Sequence, residues 1–165
     1  MPATYEPIAT GSFSGGNYIT FSSIPSTYTD LRVVVTATST AANNNIWLQF
    51  NGNFTGTSYF MTCIRGDGTS PSAQSTEQFG ENNMRPYNME IAANVPGFAT
   101  FDIFSYNNSA SPKVVLITGS SDANGSGGVN TTVGRWGNNA AINSIRCVNA
   151  NGGNGTATLY GIKAA

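Results

Sequence analysis

The chain contains no histidine, and only 9% of its 165 residues are charged. Histidine most often supplies the titratable group that works near neutral pH, so its absence excludes serine and cysteine triads and most zinc centres. The formal net charge of −1 gives no field that would attract nucleic acid or an anionic lipid surface. The composition therefore predicts a structural or binding protein rather than an enzyme, with no catalytic residue, cofactor, metal or nucleic-acid partner.

Long hydrophobic runs are also missing. The first residues lack the basic and apolar regions of an export signal, and no later segment is long enough to span a bilayer. We therefore expect a soluble protein that is made in the cytoplasm and has no membrane partner. The two cysteines, Cys63 and Cys147, are far apart in sequence. Buried free thiols are expected in a reducing compartment, and a disulfide is the alternative.

What the chain does contain is a series of short alternating or β-branched runs between turns rich in Gly, Asn, Ser and Pro. Leu31, Val33 and Val35 share one face of such a run, because side chains alternate along a strand. Roughly eight to ten strands without a helix predict a single all-β domain, a β-sandwich of jelly-roll type, with a closed barrel as the alternative. The predicted strands cover residues 18–24, 31–38, 46–50, 59–64, 87–92, 98–106, 114–118, 131–136, 142–148 and 156–162.

Two segments are predicted to contact neighbouring molecules. Residues 1–10 hold two prolines and show no alternation, which predicts an extended N-terminal arm before a domain at residues 11–165. The strand at 98–106 offers large apolar side chains on both faces, so a second sheet or another subunit should cover it. The predicted interface residues are Tyr5, Pro7, Ile8, Phe98, Phe104 and Tyr106.

Several short motifs have a functional interpretation beside a plain structural one. The tripeptide at residues 65–67, Arg-Gly-Asp, is an integrin motif, but Gly-Asp after a strand is also a good hairpin turn. Residues 122–128 have oxygen donors spaced like the start of a calcium loop, although Val133 stands where an EF-hand would place its bidentate glutamate. For both segments we expect a turn rather than a site.

The carboxylates could support glycoside hydrolysis without histidine. Asp102 lies in the middle of a strong predicted strand, and a covered carboxylate there needs a partner, which Arg32 or Arg146 would supply. We expect a structural ion pair rather than a catalytic acid. Aromatic side chains that could stack on a sugar, although core or subunit packing is favoured for each, are Trp47, Trp136, Tyr87 and Tyr106.

Five short segments, in this order along the chain, resemble a family of small virion proteins of tailed bacteriophages, notably cyanophages. They are MPATYEPIAT at 1–10, ITFSSIP at 19–25, YTDL at 28–31, TVGRW at 132–136 and TLYGIK at 158–163. The resemblance spans the chain except for residues 66–84. It implies a β-sandwich decoration or tail-associated protein with no enzymatic residues.

From this resemblance and the low charge we predict a capsid decoration (cement) protein. Such a protein would lie on the outside of the phage head, form a homo-oligomer, as a trimer, at a local three-fold position, and clamp the major capsid subunits. The alternative is a tail-fibre or receptor-binding module that recognises carbohydrate on the host surface through exposed aromatic rings. A carboxylate-dependent glycan hydrolase is a third, more distant hypothesis.

Overall fold

The computed structural model describes residues 5–41, 45–54, 58–75, 82–86, 91–122 and 127–163. Within these residues the regular structure consists of eleven β-strands, with no helix. The strands are β1 (Tyr5–Ser14), β2 (Tyr18–Phe21), β3 (Asp30–Thr38), β4 (Ile46–Phe50), β5 (Tyr59–Gly66), β6 (Pro71–Ser75), β7 (Pro96–Phe104), β8 (Lys113–Ser121), β9 (Gly128–Trp136), β10 (Ile145–Asn149) and β11 (Asn154–Ile162).

The strands form two antiparallel sheets. One has eight strands in the order β1-β11-β3-β7-β8-β9-β5-β6, and the other has three in the order β2-β10-β4. The outermost pairings are nested, since β1 pairs with β11 and β2 with β10, while β3 pairs with both β11 and β7. Such nesting is that of a long hairpin rolled into two layers, the jelly-roll arrangement. The predicted all-β sandwich is therefore confirmed.

The core lies between the two sheets and follows from strand alternation. In β3, Leu31, Val33 and Val35 are fully buried, whereas the residues between them remain partly exposed. The small sheet contributes Leu48 and Phe50 to the same core. Burial of each such side chain stabilises the fold by about 1.5–3 kcal/mol relative to an exposed position. The hydrophobic pattern thus holds the two layers together.

One cluster of aromatic side chains joins the two sheets. The ring of Phe50 in β4 packs against Tyr59 of β5 and Trp136 of β9, with centroid distances of 5.9 and 5.5 Å. The Tyr59 hydroxyl accepts a hydrogen bond from the Phe50 backbone N–H at 2.8 Å and donates one to the Asn53 carbonyl at 3.2 Å. Burial raises the pKa of Tyr59 to about 12.

The predicted N-terminal arm is wrong from residue 5 onwards. Tyr5–Ser14 is the edge strand β1, which pairs along its length with β11, and residues 1–4 lie outside the described part. The register shifts between Pro7 and Ala9, where a bulge interrupts the pairing. Pro7 has no N–H to donate to the ladder, and a proline or bulge at an edge blocks further strand addition. The domain therefore begins before residue 11.

Other boundaries also differ from the sequence prediction. The eleven strands exceed the predicted number because β1 and β6 showed no clear alternation. β6 lies inside the segment 66–84, where the sequence predicts no strand, and it pairs with β5 as a hairpin. The predicted strand at 87–92 falls mostly outside the described residues. Its described residues, Ile91 and Ala92, lie in no strand, and Ala93 just after them forms an isolated bridge with Ser39.

Both cysteines are free and buried, as expected for reduced thiols. Burial raises the pKa of the Cys147 thiol well above its usual value. Cys147 therefore contributes no reactive thiolate in the folded protein.

Lys113 at the start of β8 is buried, with only 1% of its surface exposed. Its ammonium donates hydrogen bonds to the backbone carbonyls of Ser111 at 2.7 Å and Asn139 at 3.1 Å. Burial lowers the pKa of Lys113 from its usual value because removal from water disfavours the charged form. The folded state therefore favours the neutral amine more than the unfolded chain does.

This burial predicts how stability depends on pH. Between the lowered pKa and the usual value near 10.5, the unfolded chain binds more protons, so the free energy of unfolding rises with pH. We expect the stability difference between wild type and Lys113→Met to shift in favour of wild type as the pH rises from 7 to 10. Urea denaturation of both proteins at each pH measures their free energies of unfolding. The contributions of the other titrating groups cancel in the difference between the two proteins. A constant difference would contradict the prediction.

Candidate functional site

The outer face of the eight-stranded sheet, defined as the side turned away from the three-stranded sheet, carries many large apolar side chains. Exposed fractions of the most prominent ones run from 42% to 64%. Four of them lie on the adjacent strands β8, β9 and β5, and one lies at the end of β7. They are Ile64, Phe104, Val114, Val129 and Val133.

Strand register makes this surface continuous. Val133 of β9 lies opposite Leu116 of β8 and Thr62 of β5, and the next row places Thr131 opposite Thr118 and Ile64. Directly opposed side chains in antiparallel strands are about 4.5–5.5 Å apart, so the side chains within each row touch. The outer face is therefore a broad surface of valine, isoleucine, leucine and threonine.

The charges at the centre of this face neutralise one another. Arg32 of β3 lies directly opposite Asp102 of β7, and its Nε and Nη2 donate to the two carboxylate oxygens, the second at 2.8 Å. The hydrogen bond to Asp102 raises the pKa of Arg32 above its usual range. The predicted structural ion pair of Asp102 is confirmed, with Arg32 rather than Arg146 as the partner. A carboxylate held in this way accepts bidentate hydrogen bonds and is poorly placed for acid catalysis.

The N-terminal interface residues lie at one margin of the outer face. Tyr5 is 40% exposed, stacks on Tyr160 at 4.7 Å, and has the Arg32 guanidinium 5.6 Å from its ring centroid. Pro7 is exposed, whereas Ile8 is partly buried and packs against the core. Tyr5 and Pro7 are therefore available to a neighbour as predicted surface residues, and Ile8 contributes mainly to the fold.

Of the three interface residues predicted in and after β7, two lie on the outer face and one lies in the core. Phe98 is half-buried and Phe104 is 42% exposed, both on the outer face. The prediction for Tyr106 is wrong: β7 ends at Phe104, the chain turns at Ser105 with a φ of 49°, and Tyr106 is only 1% exposed. Its hydroxyl donates to the Pro25 carbonyl inside the protein. Tyr106 therefore belongs to the core and does not share a face with Phe98.

The outer face of the three-stranded sheet carries a different cluster that the sequence did not indicate. The Arg146 guanidinium of β10 lies 3.9 Å from the ring centroid of Tyr18 and 5.3 Å from that of Phe54. These two rings are 56% and 49% exposed. Contacts of this kind between a guanidinium and aromatic faces are attractive. Residues far apart in sequence thus form one exposed platform.

The aromatic residues chosen from sequence as sugar-stacking candidates do not form such a platform. Trp136 is fully buried at the centre of the core, and Tyr106 is buried as well. Tyr87 lies outside the described residues. Trp47 of β4 is partly buried on the outer face of the small sheet, and its Nε1 is buried with no hydrogen-bond partner. Among the described members of this set, Trp47 is the one that lies on the same face as the exposed cluster.

The Arg-Gly-Asp motif spans the end of β5 and the start of the turn to β6: Arg65 and Gly66 are the last residues of β5, and Asp67 begins the turn. Asp67 Oδ1 accepts hydrogen bonds from the Thr69 N–H, the Thr69 hydroxyl and the Ser70 N–H, at 2.9, 2.7 and 2.9 Å. These bonds hold the pKa of Asp67 well below its usual range. The carboxylate is thus engaged in the turn, as expected from the structural interpretation of the motif.

Residues 123–126 of the candidate calcium loop lie outside the described part of the chain. The first carboxylate of this loop, Asp122, borders a shallow cavity of about 320 Å³ together with Asp67. Among the described residues no group of three or more His, Cys, Asp or Glu side chains is placed to hold a metal ion. Three of the carboxylates that a glycan hydrolase could use, Glu77, Glu81 and Glu90, fall outside the described residues.

These observations define an all-β sandwich with two contrasting outer faces, one broad and apolar and one small and aromatic with a single guanidinium. In the part of the chain that the structure describes, no helix is long and apolar enough to cross a membrane.

No protein-family model matches this chain, and no curated protein is similar to it. A solved structure titled "Structure of alginate lyase Aly36B" aligns with 97% of this chain and 73% of that chain, at 14% identity and a TM-score of 0.32. A similarity this low carries no inference about activity.

Proposed function

We propose that this protein is a structural component of a phage virion, a decoration protein that self-associates on the capsid exterior and clamps the major capsid subunits. The observation that carries the proposal is the outer face of the eight-stranded sheet, with its exposed apolar side chains and the ion pair of Arg32 and Asp102 at its centre. The sequence resemblance to small virion proteins supports the same role.

The size of this face suits a permanent contact. Seven spacings of about 4.8 Å between eight strands, and strands of nine residues at about 3.4 Å each, give a surface on the order of 1,000 Å². A standard protein interface buries about 800 Å² on each partner. The exposed apolar side chains of β5, β8 and β9 lie within this area, and an exposed apolar patch of more than a few hundred Å² is unusual on a monomer.

We infer that three copies turn their outer faces towards a shared three-fold axis. In that arrangement each sheet contacts both neighbours, and the apolar rows around Val133 and Leu116 leave water. Tyr5 and Pro7 at the margin of the face would then contact the adjacent subunit or the capsid. Binding only to the assembled shell stabilises that shell by mass action.

The proposal is tested on virions assembled without this protein. We expect such heads to lose their DNA at a lower temperature than complete heads, because the clamp between capsid subunits is missing, while adsorption to cells proceeds at the normal rate. Heating followed by a nuclease assay measures DNA release, and a cell-binding assay measures adsorption. Adding the purified protein back should restore heat resistance. Heads that are equally heat-resistant without it would contradict the capsid role.

The second candidate is a tail-fibre or receptor-binding module that recognises host carbohydrate. The exposed cluster of Tyr18, Arg146 and Phe54 favours it, because aromatic rings beside a polar group are typical of sugar-binding surfaces. This candidate predicts the opposite result in the same experiment, namely heads of normal heat resistance and lost adsorption.

A further inference from the structure

The aromatic platform on the small sheet has the geometry of a ligand-binding surface. Arg146 lies in β10, the central strand of the small sheet, opposite Thr20 of β2 and Gln49 of β4. Tyr18 and Phe54 approach its guanidinium from β2 and from the segment after β4. Because the central strand is paired on both sides, the cation is mounted on a rigid part of the fold.

Arg146 has no anionic partner among the described residues, in contrast to Arg32 and Lys163. Arg32 pairs with Asp102, and Lys163 pairs with Glu6 at 3.1 Å. No carboxylate of the described chain pairs with Arg146, whose Nε is buried and finds no hydrogen-bond acceptor there. A guanidinium stays protonated at all ordinary pH values. The platform therefore presents a permanent positive charge between two exposed rings.

Trp47 of β4 lies on the same face, in the row of Val148 and Tyr18 and next to the row of Arg146. Its Nε1 and the Nε of Arg146 are buried and make no hydrogen bond within the described residues, so neither atom is open to a ligand. The accessible features are the two exposed rings and the guanidinium charge between them. The chemistry that complements this surface is a ligand with at least one negative charge and a flat apolar face.

We propose that this face binds an acidic oligosaccharide, with the carboxylate of a uronic acid unit paired to Arg146 and the C–H face of a sugar ring against Tyr18. Arginine binds carboxylates through two parallel hydrogen bonds, which gives both affinity and orientation. Nucleic acid is disfavoured because the seven basic residues are scattered along a chain of net charge −1. The site gives a ligand class to the second candidate function and does not depend on the capsid role.

The test uses a tetramer of galacturonic acid and its fully methyl-esterified form, which has the same length and shape but no charge. We expect the wild type to bind the acid form, and added salt to weaken the binding because the pair is electrostatic. Arg146→Gln should weaken it about tenfold or more, because the variant loses the charge-assisted hydrogen bonds to the carboxylate. Calorimetric titration measures the affinity of each protein for each form of the tetramer.

The matched control is Arg135→Gln. Arg135 also lies over an aromatic ring, Phe60 at 4.4 Å, but on the outer face of the other sheet. This variant removes the same charge and should bind the tetramer like wild type. Arg146→Lys keeps the charge without the paired donors, so it should bind more weakly than wild type. It also keeps the test usable if Arg146→Gln fails to fold.

Three results would overturn the proposal. One is absence of binding by the wild type, and another is equal binding of the acid and its methyl ester. The third is an equal effect of Arg146→Gln and Arg135→Gln. A tetraglutamate peptide serves as a competitor, and displacement of the tetramer at the same concentration would assign the platform to acidic peptides instead. None of these results bears on the heat resistance of heads, so failure here and failure of the capsid role are separate outcomes.

Discussion

Replacing Val133 by lysine is expected to convert the self-associated protein into a monomer. Val133 is 52% exposed in the single chain and lies among apolar and threonine side chains near the middle of the outer face. In the proposed assembly each copy would bury an unpaired ammonium, at a cost of about 3–5 kcal/mol. That cost lowers the association constant a hundredfold or more. Multi-angle light scattering at micromolar concentration measures the change.

The matched control for this variant is Thr27→Lys. Thr27 is exposed in the segment between β2 and β3 and lies outside the eight-stranded sheet, so the same charge is added away from the proposed contact. This control should assemble like wild type, and circular dichroism should show an unchanged fold for both variants. If Val133→Lys assembles as well as the control, another surface makes the contact. A wild type that stays monomeric would contradict self-association itself.

The second large effect is expected for Gly155→Ala in β11. Gly155 has a φ of 154°, and a Cβ there would clash with the Thr36 carbonyl oxygen and lie 2.6 Å from the Ala37 Cα. These are backbone atoms of β3, the neighbouring strand, and cannot move aside without breaking the pairing. We expect a loss of about 3 kcal/mol, which lowers the melting temperature by about 6–12 °C for a domain of this size.

Gly15→Ala provides the comparison for this substitution. Gly15 also has a positive φ, of 67°, but a Cβ there would meet no atom within 4 Å. Its substitution tests backbone strain without a clash and should cost only about 1 kcal/mol. Calorimetric melting of both variants separates the two causes. Equal losses for Gly155→Ala and Gly15→Ala would mean that the close approach of β11 to β3 has no energetic consequence.

The parts of the fold that the sequence predicted are those governed by alternation along a single strand. Leu31, Val33 and Val35 identified the buried face of β3 because side-chain direction reverses at every residue. The edge strand β1 escaped detection because Pro7 and the bulge that follows it break the alternation. Its strand character comes from pairing with β11, a partner about 150 residues away in the chain. No local pattern contains that information.

The site was less predictable for a related reason. Tyr106 continued the alternation of Phe98 and Phe104, but Asp30 caps the end of β7 by accepting a hydrogen bond from the Ser105 N–H at 2.7 Å. The chain then turns and carries Tyr106 into the core. Conversely, the pairing of β2 with β10 is what brings Tyr18 beside Arg146. Both outcomes depend on contacts between distant segments, which composition and periodicity do not encode.

The nested pairing of the strands dictates an order of folding. Within the described chain β1 pairs with β11, and β2 and β4 pair with β10, so β1, β2 and β4 must wait until β10 and β11 have left the ribosome. The central strands differ, since β7, β8 and β9 pair with their sequence neighbours. Local hairpins close quickly, whereas distant pairings are slow. We therefore expect the middle of the chain to nucleate folding during synthesis and the N-terminal third to join last.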